Sequence, residues 1–240
     1  MKIFKTLINL VFPEKNICFI CDEYDITIKN NLCPDCISKL VFIKESKCKT
    51  CGRKIDTNSD KLIKCRNCLK TPHYFTKTVA PLVYNEAIKK AIYDFKYNNK
   101  PYMYKLFGEL MVKSVVDNDL EYIDMIVPVP LHKYRQRKRG FNQSYLLAKY
   151  ISKKLELPID KENLIRITKT QEQNKLKRSE RIRNVEGVFK IIKKDIFIQK
   201  RVLLIDDIYT TGSTVDECSK LLLDNGAKEV FVATIAIASQ

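Results

Sequence analysis

The sequence predicts an α/β protein with a mainly parallel sheet flanked by helices, preceded by a small cysteine-rich domain. Three observations carry this. Four Cys-x-x-Cys pairs lie within the 51 residues from Cys18 to Cys68. From residue 79 onward, short apolar runs alternate with stretches of helical periodicity. One of those runs, Val202-Leu203-Leu204-Ile205, leads straight into Asp206-Asp207 and then a small, hydroxyl-rich turn, Thr210-Thr211-Gly212-Ser213-Thr214. Such an order is strand, loop, helix, and in parallel α/β sheets ligands bind beyond the strands' carboxyl ends.

The chain has 240 residues, 45% of them hydrophobic, enough for one or two domains with a real core. Residues 1–15 combine lysines with an apolar run, but Asn9 interrupts it and no small-residue cleavage pattern follows, so a signal peptide is not expected. Phe4, Leu7, Ile8 and Val11 share one helical face, which suits packing on the rest of the protein. No segment approaches the ~18 apolar residues of a membrane span, and a cytoplasmic location is expected. The net charge of +16 divides into +7 for residues 1–77, −1 for 78–130, +14 for 131–201 and −4 for 202–240. The basic excess therefore sits in the middle of the chain, where an anionic partner is expected.

The eight N-terminal cysteines are Cys18/Cys21, Cys33/Cys36, Cys48/Cys51 and Cys65/Cys68. Two-residue spacing lets both thiolates of a knuckle face one metal, and two knuckles complete a tetrahedral zinc site. Two structural Zn²⁺ sites follow. Sequential pairing, the first two pairs on one ion and the last two on the other, is the simpler arrangement, with crossed pairing as the alternative. Disulfides suit a reducing compartment poorly. His73, five residues past Cys68, is not needed as a ligand. A double zinc ribbon over residues 1–76 and a second domain over 77–240 are the expected division.

In the second domain, strands are expected at 79–84, 123–129, 163–167, 187–191, 202–205 and 229–237, and helices at 86–95, 103–116, 143–155 and 215–224. Thr214-x-x-Glu217 fits a capping box at the start of the last helix. Backbone N–H groups there, with the hydroxyls and Gly212, suit a phosphate. Cys218 shares an apolar face with Val215, Leu221 and Leu222 and is expected in the core. A second chemical stretch follows the strand at 123–129: five cations in the seven residues from Lys133 to Arg139, with no acid among them.

The stretch 202–214 resembles the phosphoribosyl-pyrophosphate (PRPP) motif of type I phosphoribosyltransferases: four hydrophobics, two acids, three free positions, then Thr-Gly-x-Thr. The resemblance implies that Asp206 and Asp207 take the ribose hydroxyls, with Mg²⁺ accompanying PRPP, and that Thr210, Thr211, Gly212, Ser213 and Thr214 take the 5-phosphate. Pro128-Val129-Pro130-Leu131-His132, the basic run and Arg139-Gly140-Phe141-Asn142-Gln143 narrow it further, because they resemble the signature of the ComF family of competence-associated proteins. The likeness runs along almost the whole chain and extends to Lys169-Thr170-Gln171, Leu176-Lys177-Arg178 and Glu180-Arg181-Ile182-Arg183-Asn184-Val185.

In phosphoribosyltransferases this last region is a flexible hood that closes over PRPP, which implies that Lys169, Arg178, Arg181 and Arg183 reach the pyrophosphate, with Arg178 and Arg181 in a catalytic role. His132, Lys133 and Arg135 are implied as binding residues, the basic run serving pyrophosphate, DNA or both. The family further implies single-stranded DNA and a competence helicase as partners. One departure bears on substrate: purine-salvage relatives carry an acid where this chain has Thr210, and threonine cannot take a proton from a purine. Beside the basic run, only Tyr134 and Phe141 offer aromatic rings, so a base-stacking platform has weak support there.

Overall fold

The computed structural model describes residues 16–28, 30–43, 47–55, 64–120, 122–168 and 187–239. Two short helices, α1 (Pro34–Ser38) and α2 (Arg66–Lys70), lie in the cysteine-rich part; beyond them the expected α/β architecture is present, and its centre is β6 (Arg201–Ile205). In a four-stranded, all-parallel sheet, β6 lies between β8 (Glu229–Ala233) and β3 (Met125–Pro128), and β1 (Lys77–Val79) pairs on the far side of β8. Val202, Leu203, Leu204 and Ile205 are all fully buried. Leu203 and Ile205 point into one apolar cluster and Val202 and Leu204 into another, as the two-residue period of a strand covered on both faces requires. The first cluster holds α3 (Glu86–Tyr97), α4 (Tyr104–Val116) and α6 (Gln143–Leu155); the second holds α7 (Ser213–Asp224).

Three strands break at one level. The single strand expected at 79–84 is β1 and then β2 (Leu82–Tyr84), separated by Ala80-Pro81, where proline has no N–H for a ladder. The strand expected at 229–237 divides likewise into β8 and β9 (Ala236–Ala238), and β6 is continued after the two acids by β7 (Ile208–Tyr209). Beyond the break the same neighbours pair again, in the order β2, β9, β7, also parallel. Cross-links at the break keep the layers in register: Asp206 N–H donates to Ala233 O (3.1 Å), Thr234 N–H to Val79 O (3.1 Å) and Ile235 N–H to Asp207 O (3.0 Å). The acidic pair thus sits inside a sheet, at a step in it.

Two expectations need correction. The strands at 163–167 and 187–191 form β4 (Leu164–Arg166) and β5 (Phe189–Ile191), an antiparallel pair separate from the parallel sheets. The capping box at Thr214 and Glu217 does not form, because the last helix begins two residues earlier than expected, with Gly212 as its N-cap. Glu217 Oε1 instead accepts from Gly187 N–H at 3.0 Å. Cys218 is fully buried in the second cluster, as expected.

Helices α4 and α6 meet at Gly108, where an added Cβ would lie 2.5 Å from Tyr150 Cδ1 and 2.9 Å from its Cγ. Tyr150 cannot retreat easily, since its hydroxyl donates to Glu109 at 2.6 Å and Tyr104 packs edge-on at 5.9 Å. Overpacking costs roughly 1–3 kcal/mol, against a helix-propensity gain of about 1 kcal/mol for Gly→Ala. Gly108→Ala is therefore expected to lower stability by about 1 kcal/mol in urea unfolding; a stabilised variant would mean that the helices part without cost.

Candidate functional site

The cysteines assemble first into two clusters. Cys18, Cys21, Cys33 and Cys36 form one and Cys48, Cys51, Cys65 and Cys68 the other, with the ligand atoms of each within 4.8 Å of one another. This is the sequential arrangement. Four sulfurs about 2.3 Å from a tetrahedral Zn²⁺ stand roughly 3.8 Å apart, and Cys21–Cys33 and Cys51–Cys65 sulfurs are 3.7 Å apart. Cys36 N–H points at Cys33 Sγ (3.4 Å) and Cys65 N–H at Cys48 Sγ (3.3 Å), which favours thiolates. A hydrogen bond from the Cys51 side chain, aided by backbone N–H groups, pulls the Cys48 thiol down to about 4 despite its burial. Both clusters fit a structural zinc ion. Among the described residues His73 belongs to neither; its Nδ1 lies 3.4 Å from Asp216 Oδ1 and its ring stacks on Phe75.

The acids stand where β6 stops. Asp207 is 6% exposed and forms an ion pair with Lys96, which the last turn of α3 projects across the sheet's end. Gln143 Nε2 donates to Asp207 Oδ2 at 3.3 Å, and Arg139 in turn donates to Gln143 Oε1. Asp206 Oδ1 accepts from Ser144 Oγ at 3.1 Å and from the Asp207 N–H at 2.9 Å. Burial, with the Asp207 carboxylate beside it, raises the Asp206 carboxyl to about 7. The acid therefore holds its proton through mildly acidic pH. Binding of a cation or of sugar hydroxyls to the carboxylate is expected to tighten up to tenfold per pH unit as pH rises toward 7 and to level off above it. Asp206→Asn flattens that profile, and an unchanged slope in the variant would assign the titration elsewhere.

The loop 210–214 runs from β7 to the N-terminus of α7, where unpaired N–H groups and the helix dipole favour an anion. Thr211 Oγ1 and Ser213 Oγ lie 2.9 Å apart, and Ser213 N–H donates to Thr211 Oγ1 at 3.4 Å. Gly212 has φ +82, and a Cβ there would meet the Tyr209 hydroxyl at 2.4 Å, so only glycine fits both the turn and the contact. Thr210 presents its carbonyl away from the loop, to Arg53.

The basic run is a helix, α5 (Lys133–Arg139), stopped by Gly140. Its 3.6-residue turn separates what the sequence presents as a block. Arg135 and Arg139, one turn apart, line a cavity of about 260 Å³ together with Asp206, Asp207, Thr214 and Arg166 of β4. Lys133, Arg137 and Lys138 face solvent. Of His132, Lys133 and Arg135, only Arg135 lines that cavity; His132 is the helix N-cap, its Nδ1 accepting from Tyr134 N–H at 3.2 Å. Arg166 is pushed below the usual guanidinium range by burial and then by the Arg135 charge beside it. Both guanidinium groups line the same cavity, and planar forks of this kind suit an anion with paired oxygens. Arg178 and Arg181, with Lys169 and Arg183, lie outside the described residues, as does the helix expected at the N-terminus.

Sequence reasoning missed Lys96, Gln143, Ser144, Arg139 and Arg166 as site residues. Helical spacing offered one signal: Arg139, Gln143 and Ser144 flank the start of α6, which follows the basic helix directly. Lys96 gave none, because its helix was expected to end at residue 95. The tertiary structure also supplies aromatic rings that the basic run lacks. Tyr93 and Tyr97 of α3 line the cavity's mouth, their rings 4.9 Å apart, with the Arg139 guanidinium 4.8 Å from the Tyr97 ring centre.

The family described as double zinc ribbon domain matches residues 7–69, and that described as phosphoribosyl transferase domain matches residues 142–239. Competence protein F of Haemophilus influenzae is 33% identical over 215 residues, 88% of this chain and 92% of that protein. DNA utilization protein YhgH of Escherichia coli is 32% identical, over 84% of this chain and 88% of its own length. A purine phosphoribosyltransferase from Pyrococcus horikoshii superposes with a TM-score of 0.37 and 17% identity, over 57% of this chain and 73% of that one. With a third of its residues shared along nearly the full length of Competence protein F, and with both domain types in place, the chain belongs to the ComF family.

Proposed function

We propose that this protein binds PRPP with Mg²⁺ at Asp206, Asp207 and the 210–214 loop, and that it handles single-stranded DNA in the cytoplasm during natural transformation. One observation carries the PRPP reading: a single cavity joins two carboxylates at a strand's end, the Thr214 helix N-terminus and the guanidinium groups of Arg135, Arg139 and Arg166. The carboxylates match vicinal sugar hydroxyls, the helix N-terminus a monophosphate, and the guanidinium groups a pyrophosphate. Adjacent carboxylates are hard oxygen donors that fit Mg²⁺ brought in with PRPP, and the ion supplies charge neutralisation on the phosphates. Arg135 and Arg166 would lie against the negative charge of the pyrophosphate.

The names of the relatives, a competence protein and a DNA utilization protein, support the DNA reading. So does the surface beside the cavity, where half-exposed Tyr93 and Tyr97 stand next to a helix whose Lys133, Arg137 and Lys138 are free to meet phosphates. Stacking on aromatic rings combined with backbone cations is how single strands are held without sequence preference. With roughly six phosphates neutralised, affinity for a single-stranded oligonucleotide is expected to fall several hundredfold between 50 and 200 mM salt. An affinity insensitive to salt would remove the electrostatic basis of the proposal.

A second reading, transfer of phosphoribose to a nitrogen acceptor, has the cationic cavity in its favour. Against it stands Thr210, which brings no acid to serve an acceptor base. Calorimetric titration of the zinc-loaded protein with PRPP, with and without Mg²⁺, followed by a pyrophosphate assay on the same sample, separates the readings. Binding without pyrophosphate release supports a PRPP-gated or PRPP-sensing protein; binding with release makes it an enzyme; no binding overturns the PRPP reading.

A further inference from the structure

We propose that Arg53, a residue of the second zinc-ribbon unit, is a positioning residue for the phosphate loop. Arg53 is 8% exposed and follows Cys51 by two residues. Its guanidinium bridges two parts of the distant domain: Nε donates to Ala238 O at 2.9 Å, and a terminal nitrogen donates to Thr210 O at 2.8 Å. The planar fork holds the two carbonyls from separate nitrogens in one fixed geometry, whereas a lysine ammonium would have to reach both from a single nitrogen on a flexible stem.

The ribbon knuckle gives that side chain a rigid base. Gly52 N–H donates to Cys48 O (2.9 Å) and Cys48 N–H to Arg53 O (2.8 Å), so the turn carrying two cluster cysteines also fixes the arginine backbone. Thr78 N–H donates to Thr50 O at 2.7 Å. Gly52 has φ +67, and a Cβ there would fall 2.5 Å from Thr78 O and 2.9 Å from Ile237 Cδ1, so the knuckle is seated directly on the sheet. A second brace lies beside it. Tyr74 N–H donates to Asp216 Oδ1 at 2.8 Å, in the first turn of α7, and Phe75 packs edge-on against Tyr209 at 6.0 Å.

The consequence follows from peptide geometry. Thr210 C=O and Thr211 N–H belong to one planar trans unit and point in opposite directions. When Arg53 holds the carbonyl toward the ribbon, the Thr211 N–H is directed away from it. The ribbon therefore sets the orientation of the loop's first peptide before any ligand arrives, and spares the ligand the entropy of ordering it. Its effect on PRPP affinity rests on the function proposed above; the ordering of the loop does not.

The test uses the full-length, zinc-loaded protein and the variants Arg53→Met and Arg53→Lys. Amide hydrogen exchange of residues 210–214 without ligand is expected to speed up tenfold or more in both variants, with two zinc ions per chain retained. PRPP affinity is expected to fall about tenfold, the effect of one hydrogen bond to a charged group. Unchanged exchange overturns the proposal. So does loss of zinc from both variants, which would make Arg53 a ribbon-folding residue. If the parent protein fails to bind PRPP, the functional reading fails while the exchange comparison still decides the role of Arg53.

Discussion

Asp207→Asn is expected to lower PRPP affinity at least a hundredfold, on the binding proposed above, and also to weaken the fold. Hydrogen bonds to a charged group contribute about 1.5–3 kcal/mol each, so loss of a carboxylate that accepts from ribose hydroxyls, as proposed, is worth about two orders of magnitude or more. The structural effect has another origin. Asp207 is the counter-charge of Lys96, whose side chain is 19% exposed, and breaking a buried pair by removing one partner costs roughly 3–5 kcal/mol. Lys96→Met in the same chain removes the stranded ammonium and is expected to restore most of the stability, but not the binding. Urea unfolding and calorimetry of the single and double variants form a cycle that separates the two roles. A stable Asp207→Asn protein that binds PRPP normally would show that the site lies elsewhere.

Zinc removal has the largest effect on folding. Apparent binding free energies of structural zinc are about 10–16 kcal/mol at neutral pH, and a small unit with little core depends on them. The two clusters are not equivalent. Both share apolar clusters with the sheet, but Cys48, Cys51, Cys65 and Cys68 are all buried, whereas Cys21 of the first cluster is exposed. Cys68→Ser is accordingly expected to lose one zinc ion per chain and to lower the melting temperature of the whole protein by several degrees more than Cys21→Ser does. Zinc quantification with thermal melts checks this. Equal melting shifts for the two variants would mean that the second unit folds independently of the sheet.

Much of the candidate site was legible in residues close in sequence. The Val202–Asp207 order placed the acids at a strand's end because an apolar run and the charges that end it are local facts. The four Cys-x-x-Cys pairs announced two metal sites, and sequential pairing follows from the short segments that join them. Strand continuity was less legible. The run 230–237 is apolar but for Thr234, and a single threonine, itself a good strand former, does not mark the point where three neighbouring strands step together. The basic run was legible as charge but not as direction, since helical winding sends Arg135 and Arg139 inward and Lys133, Arg137 and Lys138 outward.

The sequence by itself determined the two cysteine units, the strand, loop and helix that carry Asp206 to Thr214, and the concentration of cations ahead of α6. These depend on periodicity and spacing within a few tens of residues. Only the tertiary structure decided that Lys96 neutralises Asp207, that Tyr93 and Tyr97 stand beside Arg139, and that Arg53 holds the carbonyl of Thr210, 157 residues away along the chain. The physical reason is that such partners are chosen by how layers pack around β6. Hydrophobic burial fixes the layers, and the polar side chains that come to share a boundary have no common pattern in the chain that encodes them.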